Sequence, residues 1–229
     1  MDSIMTENNT FLELMLHLRT LTNQHSLLVG GCVRDLRLGR QPKDLDIVTD
    51  ANLDEVSKVL SENGWSIDEA GKQFFVLIAS KNGQQFEIAL FRKDGTYTDG
   101  RRPDFVQVGT MEEDALRRDF TINSLYLDPW TGEFYDPTGK GFKDIEDKII
   151  RFNGKAIERI KEDYLRIFRA YRFSSQLGFE IDKKTLKACR TYFGTACNVV
   201  SGQRILIEIE KMSKVWKYYY KPTEGMKLY

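Results

Sequence analysis

The chain has 229 residues with 34 Lys+Arg against 34 Asp+Glu, 41% hydrophobic residues and five prolines, which describes a globular protein of one or two domains and excludes disordered, collagen-like and coiled-coil chains. No apolar run approaches the roughly 18 residues needed to cross a bilayer, and the polar start Met1 to Asn9 lacks the apolar stretch of a signal peptide, so no membrane partner and a cytoplasmic location are expected. Cys32, Cys189 and Cys197 are odd in number without CxxC spacing, and His17 and His25 are the only histidines, so any metal would sit on carboxylates, which points to magnesium or manganese.

Phe11, Leu14, Met15, Leu18 and Leu21 at helical spacing predict an amphipathic helix over 10–23. Ser26 to Val29 reads as a short buried strand ended by Gly30-Gly31, residues 32–38 as a helix start, Asp44 to Val48 as a second strand, and 52–63 as a helix. Phe74 to Ala79 and Gln85 to Phe91 are strand candidates joined by the Asn82-Gly83 turn signal into a hairpin. The polar run 92–104 is a loop, after which Phe105 to Val108 is expected to return to the sheet. Glu112 to Arg118 reads as helix, Thr121 to Leu127 as either strand or helix, and 128–132 as a turn before Glu133 to Tyr135. From about residue 153, Ile160, Tyr164, Ile167, Phe168 and Tyr171 follow the spacing of one helix, and further helices are expected at about 182–193 and from Ser201 to about Tyr219. The first half is therefore a mixed sheet with helices and the second half all-α, with the boundary near Phe152-Asn153-Gly154.

Zero net charge hides an asymmetry: residues 1–150 hold 17 Lys+Arg and 26 Asp+Glu, net −9, whereas residues 151–229 hold 17 and 8, net +9. An acidic half can hold cations and a basic half phosphates; mutual attraction of two domains explains the pattern equally well.

Three constellations carry chemistry. In Gly30-Gly31-Cys32-Val33-Arg34-Asp35 the glycines let backbone N–H groups approach a phosphate, and Arg34 can add a charge-assisted bond. Asp44 and Asp46, two apart on the expected strand, point to one face and can share a divalent ion. Singly, these features also fit a turn and solvent-facing acids; together they are what two-metal nucleotidyl transfer requires. Glu87 is either a third carboxylate or an exposed strand acid. The segment Arg117-Arg118-Asp119-Phe120-Thr121-Ile122-Asn123 can hold a ribose hydroxyl and a phosphate, or close a helix end with an ion pair. On the expected helix of the basic half, Asp163 and Arg166 at i, i+3 offer acceptor and donors to the Watson–Crick edge of one base. Arg166, Arg169 and Arg172 form a stripe without matching acids, suited to phosphates, where a solvated charged face is the other reading.

The segments LLVGGCVRDLRLG, KDLDIVT, EEDALRRDFTINSLYLDPWTG, FYDPTGKGFKDIEDKIIRF and EDYLRIFRAYRFSSQLGFEI lie in order over about residues 27–181. In them the chain resembles the class II tRNA nucleotidyltransferase and bacterial poly(A) polymerase family. The resemblance implies an α+β architecture: a polymerase-β-like nucleotidyltransferase head with a mixed sheet over 1–152, then an all-α, nucleotide-selecting neck over 153–229. It implies that Asp44 and Asp46 bind the catalytic metals, Mg2+ or Mn2+, with Glu87 a further candidate. Gly31 and Arg34, with Gly30 in the same nucleotide-binding set, would contact the triphosphate, and Arg118 and Asp119 would hold ribose and phosphate. Asp163 and Arg166 match the family's amino-acid template for CTP or ATP, and Arg169 and Arg172 its nucleotide-contacting arginines.

The implied reaction is template-independent addition of C, C and A to the 3′ end of tRNA from CTP and ATP, with release of pyrophosphate. Relatives that add only CC look like versions with a shortened loop before the Arg-Arg-Asp motif. Here that loop, Arg92 to Pro103 with Tyr97, Asp99, Arg101 and Arg102, is intact, so ATP addition is expected. An A-adding tRNA nucleotidyltransferase or a poly(A) polymerase shares the motifs, and a non-catalytic nucleotide- or RNA-binding module is the reading from another class. Two departures stand out. Gln203-Arg204-Ile205 replaces a Glu-Arg-Ile segment, with Arg204 and Glu208 still at i, i+4. The chain also stops at Tyr229, just after the Pro222-Thr223 helix-start signal, where relatives continue into body and tail: it is either a fragment, with a neck truncated before those regions and weak RNA affinity expected, or a naturally short protein.

Overall fold

The computed structural model describes residues 8–22 and 25–219; the Pro222-Thr223 signal and most of the polar segment Met1 to Asn9 lie outside the described residues. The chain divides into two compact units, Met1–Thr96 with Pro103–Ile145, and Tyr97–Arg102 with Glu146–Tyr229. Phe152-Asn153-Gly154 therefore falls inside the second unit.

In the first unit, α1 (Asn9–Leu21) buries Phe11, Leu14, Met15 and Leu18 completely, and the Asn8 side chain caps it by accepting from the Phe11 N–H. β1 (Ser26–Val29) is buried throughout and ends at Gly30, whose φ of 81° and ψ of −130° suit glycine and turn the chain into α2 (Gly31–Arg37). β2 (Asp46–Thr49) and α3 (Leu53–Glu62), capped by Asn52, follow. A short strand without a clear sequence signal, β3 (Ser66–Asp68), comes next. β4 (Val76–Lys81) and β5 (Gln84–Leu90) form the expected hairpin, with Asn82 at φ 53° and Gly83 at φ 72° supplying the left-handed pair of a tight turn.

β6 (Arg92–Asp94) and β7 (Val106–Val108) pair with each other and not with the larger sheet, so the expected return of Phe105 to Val108 does not occur. Phe105 and Val108 are more than half exposed, and this segment has no buried apolar face to draw it into the sheet. α4 (Met111–Arg117) carries a capping box between Thr110 and Glu113. The segment open to either strand or helix is both in turn: a 3-10 turn at Thr121–Asn123, then β8 (Tyr126–Leu127). β9 (Phe134–Tyr135) and α5 (Gly141–Glu146) follow.

The seven strands run in the order β3-β4-β5-β2-β1-β8-β9, antiparallel except for the β2–β5 pair, which makes the sheet mixed. Because side chains alternate along a strand, the register sorts its two faces. Leu28, Ile47, Leu77 and Ile88 face the helices α1 and α3, where Phe11 and Trp65 meet Phe86 with ring centroids 5.8 and 6.1 Å apart. Leu27, Val29, Val48, Phe91 and Tyr126 form the opposite cluster, covered by Ala115 and Met111 of α4. Full burial of each large apolar side chain contributes about 1.5–3 kcal/mol.

The second unit contains β10 (Ile149–Ile150), α6 (Ala156–Glu162), α7 (Leu165–Leu177), β11 (Glu180–Ile181), α8 (Lys183–Val199) and α9 (Gly202–Tyr219). Two expectations need correction. The long helix from about 153 is two helices, because Asp163 takes an extended conformation and its carboxylate accepts the Leu165 N–H at 3.1 Å, in a turn that separates α6 from α7. The unit is also not purely helical: Gly178, at φ 70°, ends α7 and returns the chain so that β11 pairs in parallel with β10, giving both segments' backbone groups partners.

Candidate active site

Asp46 opens β2 and stands in register with Glu87 of the parallel neighbour β5, so both carboxylates lie on the sheet face that carries the Val29–Val48–Tyr126 cluster. Asp44 does not sit on this strand. The ladder begins at Asp46, because β1 has already ended at Val29 opposite that point and Gly30 carries the chain away. Asp44 lies in the exposed bend before β2, beside a polar cleft of about 900 Å3 lined by Arg40, Gln41, Lys43, Gln84 and Gln85. The one-face argument from strand periodicity therefore applies to Asp46 and Glu87, while Asp44 stands in the loop before the strand.

Burial, followed by Glu87, raises the Asp46 carboxyl to about 6; Arg118 opposes the shift and Asp44 adds to it. Among the described residues no three His, Cys, Asp or Glu side chains converge closely enough to hold a metal ion alone. A half-buried carboxylate crowded by two others is nevertheless a donor set that a hard divalent cation stabilises. A magnesium-class ion characteristically completes its shell with waters and substrate phosphate oxygens. The residues fit such an ion when a nucleotide supplies the remaining oxygens.

Arg118 follows α4 and approaches this corner: a Cβ added at Gly30 would stand 3.4 Å from its Nη1. Its guanidinium is anchored on Asp114, which lies within the predicted helix but to which no sequence motif assigns a role. Burial pushes the Asp114 carboxyl up, but Arg118 and Arg117, with the Tyr126 hydroxyl, outweigh it and hold the carboxyl at about 2. Asp119 is buried; it accepts the Phe120 N–H at 2.8 Å and the Asn123 amide at 3.1 Å. The same Asn123 accepts from Arg34 Nη1 at 2.6 Å, and Arg34 also grips Asp35. Arg34 is thus buried in a network with Asn123 and Asp119 behind the glycine turn. Gly31 lies against its guanidinium, a Cβ there meeting Arg34 Nη2 at 3.7 Å. Cys32 Sγ donates to the Val29 carbonyl at 3.2 Å, and burial pushes its thiol up to about 12, which makes it a packing group.

In the helical unit, Asp163 and Arg166 fall on either side of the α6–α7 break. Asp163 lies 3.4 Å from Arg204 Nη2 of α9, while Arg166 is buried and donates to Glu162 and to the Arg159 carbonyl at 2.8 Å. Arg172 is buried against Glu208 of α9, donates to Gln176 at 3.0 Å and stacks 3.9 Å from the Phe173 ring centroid. The stripe of arginines without matching acids is corrected on this point: Glu162 and Glu208 supply the acids, the second from a helix 36 residues downstream where no local spacing reveals it. Arg169 is half-buried over Phe173, 5.4 Å from its centroid.

Residues 26–151 match the family described as Poly A polymerase head domain. The CCA-adding enzyme of Oceanobacillus iheyensis is 41% identical over 185 residues, 80% of this chain and 44% of that protein. The CCA-adding enzyme of Listeria monocytogenes serovar 1/2a is 38% identical over 210 residues, 90% and 52% of the two chains. The chain spans about half the length of the curated relatives it matches. A crystal structure of the Bacillus stearothermophilus CCA-adding enzyme in complex with CTP superposes with a TM-score of 0.76 at 32% identity, covering 89% of this chain and 48% of that one. The fold is thus the polymerase-β-like nucleotidyltransferase head with a mixed sheet, accompanied by helices. The chain belongs to the poly(A) polymerase head-domain family.

Proposed function

We propose that this chain carries the nucleotide-transfer centre of a CCA-adding tRNA nucleotidyltransferase, which adds C, C and A from CTP and ATP to a tRNA 3′ end and releases pyrophosphate. The observation that carries the reading is the corner where Asp46, with Glu87 in register beside it, meets the Gly30 turn and the anchored Arg118. The likeness to a CCA-adding enzyme solved with CTP supports the nucleotide, and the names of the curated relatives support the tRNA.

Residues 1–152 act as the head and 153–229 as the nucleotide-selecting neck. Asp44 and Asp46 would hold Mg2+, or Mn2+, with Glu87 as a further carboxylate. When bound, the ion neutralises triphosphate charge and lowers the pKa of the attacking hydroxyl. Gly30, Gly31 and Arg34 shape the triphosphate cradle, while Arg118 and Asp119 hold phosphate and ribose. Asp163 and Arg166 read the base, and Arg169 and Arg172 support them. The tRNA 3′-oxygen attacks the α-phosphorus, the bond to the β-phosphate oxygen breaks, pyrophosphate leaves with its electron pair, and the hydroxyl proton passes to solvent. The compartment is the cytoplasm; Cys32, Cys189 and Cys197 are all unpaired thiols, as reducing surroundings keep them.

The test is to incubate the chain with tRNA lacking CCA and with CTP or ATP separately. Incorporation of C is expected, and Asp46→Ala should lower it at least about a hundredfold. A chain that adds A alone is instead an A-adding enzyme or poly(A) polymerase, a reading the family's own description keeps in view. Nucleotide binding without any incorporation would make it a non-catalytic module.

A further inference from the structure

We infer that Asp114 is a positioning residue that sets the orientation of Arg118 against the glycine turn, and through it the preference of the site for a nucleoside triphosphate over a monophosphate. This rests on the reading of Arg118 as a nucleotide-holding residue.

Asp114 ends the acidic run Glu112-Glu113-Asp114 in the first turn of α4, where acids commonly serve the helix dipole at the surface. Asp114 instead turns inward and is fully buried. Its Oδ1 accepts from Arg117 Nε at 2.8 Å and Nη2 at 2.6 Å, and its Oδ2 from Arg118 Nε at 3.0 Å, Arg118 Nη2 at 2.9 Å and the Tyr126 hydroxyl at 2.7 Å. Asp114 engages the Nε–Nη2 edge of Arg118, and the remaining Nη1 is the atom that lies over Gly30.

Tyr126 closes the circuit. It pairs in register with Val29, the residue before Gly30, and the Gly30 N–H donates to the Leu125 carbonyl at 3.0 Å. One carboxylate therefore connects the arginine fork to the strand pair that carries the glycine turn. A bidentate grip on a planar guanidinium fixes direction as well as distance. Arg118 is the member of the trio whose field reaches Asp46. Were this position only structural, an apolar side chain would fill it without the cost of desolvating a charge. A carboxylate is useful here because it aims Arg118.

The experiment measures affinity of the full chain for CTP and CMP in magnesium by calorimetry, with a thermal melt of every variant. Arg118→Ala is expected to weaken CTP about tenfold and CMP much less. Asp114→Asn should reproduce that loss of CTP-over-CMP preference, and should add less than about twofold when combined with Arg118→Ala. Tyr126→Phe, which keeps the ring in the core and removes only the hydroxyl, should weaken CTP about threefold, again not in the Arg118→Ala background. A folded Asp114→Asn protein with a lower melting temperature and an unchanged CTP-to-CMP ratio would overturn the inference. If Asp114→Asn does not fold, an unchanged ratio in Tyr126→Phe overturns it. If Arg118→Ala leaves CTP binding intact, the nucleotide-holding role of Arg118 falls, and this inference with it.

Discussion

At the scale of single residues, half-buried Asp46 and fully buried Asp114 are shifted in opposite directions. Burial, and after it Glu87, raises Asp46 to about 6 against the pull of Arg118, whereas Asp114, despite burial, is held at about 2 by the guanidiniums of Arg118 and Arg117. The Asp114 shift has a consequence for stability. Its folded value lies below its ordinary value of 3.8, so the stabilisation is complete above about pH 4 and is lost as pH falls towards 2. The shift corresponds to about 2 kcal/mol. Asp114→Asn should therefore be less stable than the unaltered chain by about that amount at pH 7 in urea denaturation, and the gap should narrow as pH drops from 4 towards 2. A gap of constant size across that range would mean that the carboxylate's charge is not what Arg117 and Arg118 rely on. Asp114 could not be picked out from sequence, because an acid in the first turn of a helix is ordinary there and the Tyr126 hydroxyl that fixes it arrives 12 residues later on another element.

At the scale of elements, the sequence is legible where the cause is local. The apolar spacing of α1 and the Asn82-Gly83 turn depend on residues within one or two turns of each other, and both elements form as expected. Structure departs from expectation where a side chain or a distant strand competes. Asp163 commits its carboxylate to the Leu165 N–H and breaks an otherwise continuous apolar stripe; β2 is cut short at Asp46 by the departure of β1; β11 forms because chain elsewhere leaves backbone groups to pair. The same limit applies to the arginines of α7, whose partner Glu208 lies on α9. Since Arg172 and Glu208 are both buried, Glu208→Gln leaves a buried guanidinium without its counter-charge and should cost about 3–5 kcal/mol in urea denaturation. A cost near zero would show that water or Gln176 satisfies Arg172 unaided.

At the scale of the whole molecule, net charges of −9 over 1–150 and +9 over 151–229 remain after folding, but much of the positive charge of the second unit is neutralised internally. Arg151 pairs with Asp182, Arg159 and Arg166 with Glu162, Arg172 with Glu208, and Arg204 approaches Asp163. The exposed cations of α8 are arranged differently: Lys183, Lys187 and Arg190 follow i, i+4, i+7 along one side, with Lys184 beside the first. Lys183 and Lys184 occupy the first turn, whose N–H groups the Asp182 carboxylate already caps, so the lysine charges stay at the surface where an external anion can meet them. In the proposed reading that anion is the tRNA backbone. Reversing Lys183 and Lys187 together to Glu should weaken tRNA binding and flatten its dependence on salt by about one unit of slope for each phosphate no longer neutralised, while CTP affinity stays unchanged. The measurement is tRNA affinity of the full chain between about 50 and 200 mM salt. An unaltered slope would place the RNA on another surface. A parallel loss of CTP affinity would mean that charge reversal at the start of α8 had disturbed the unit itself, since Asp182, which caps that helix, also holds Arg151.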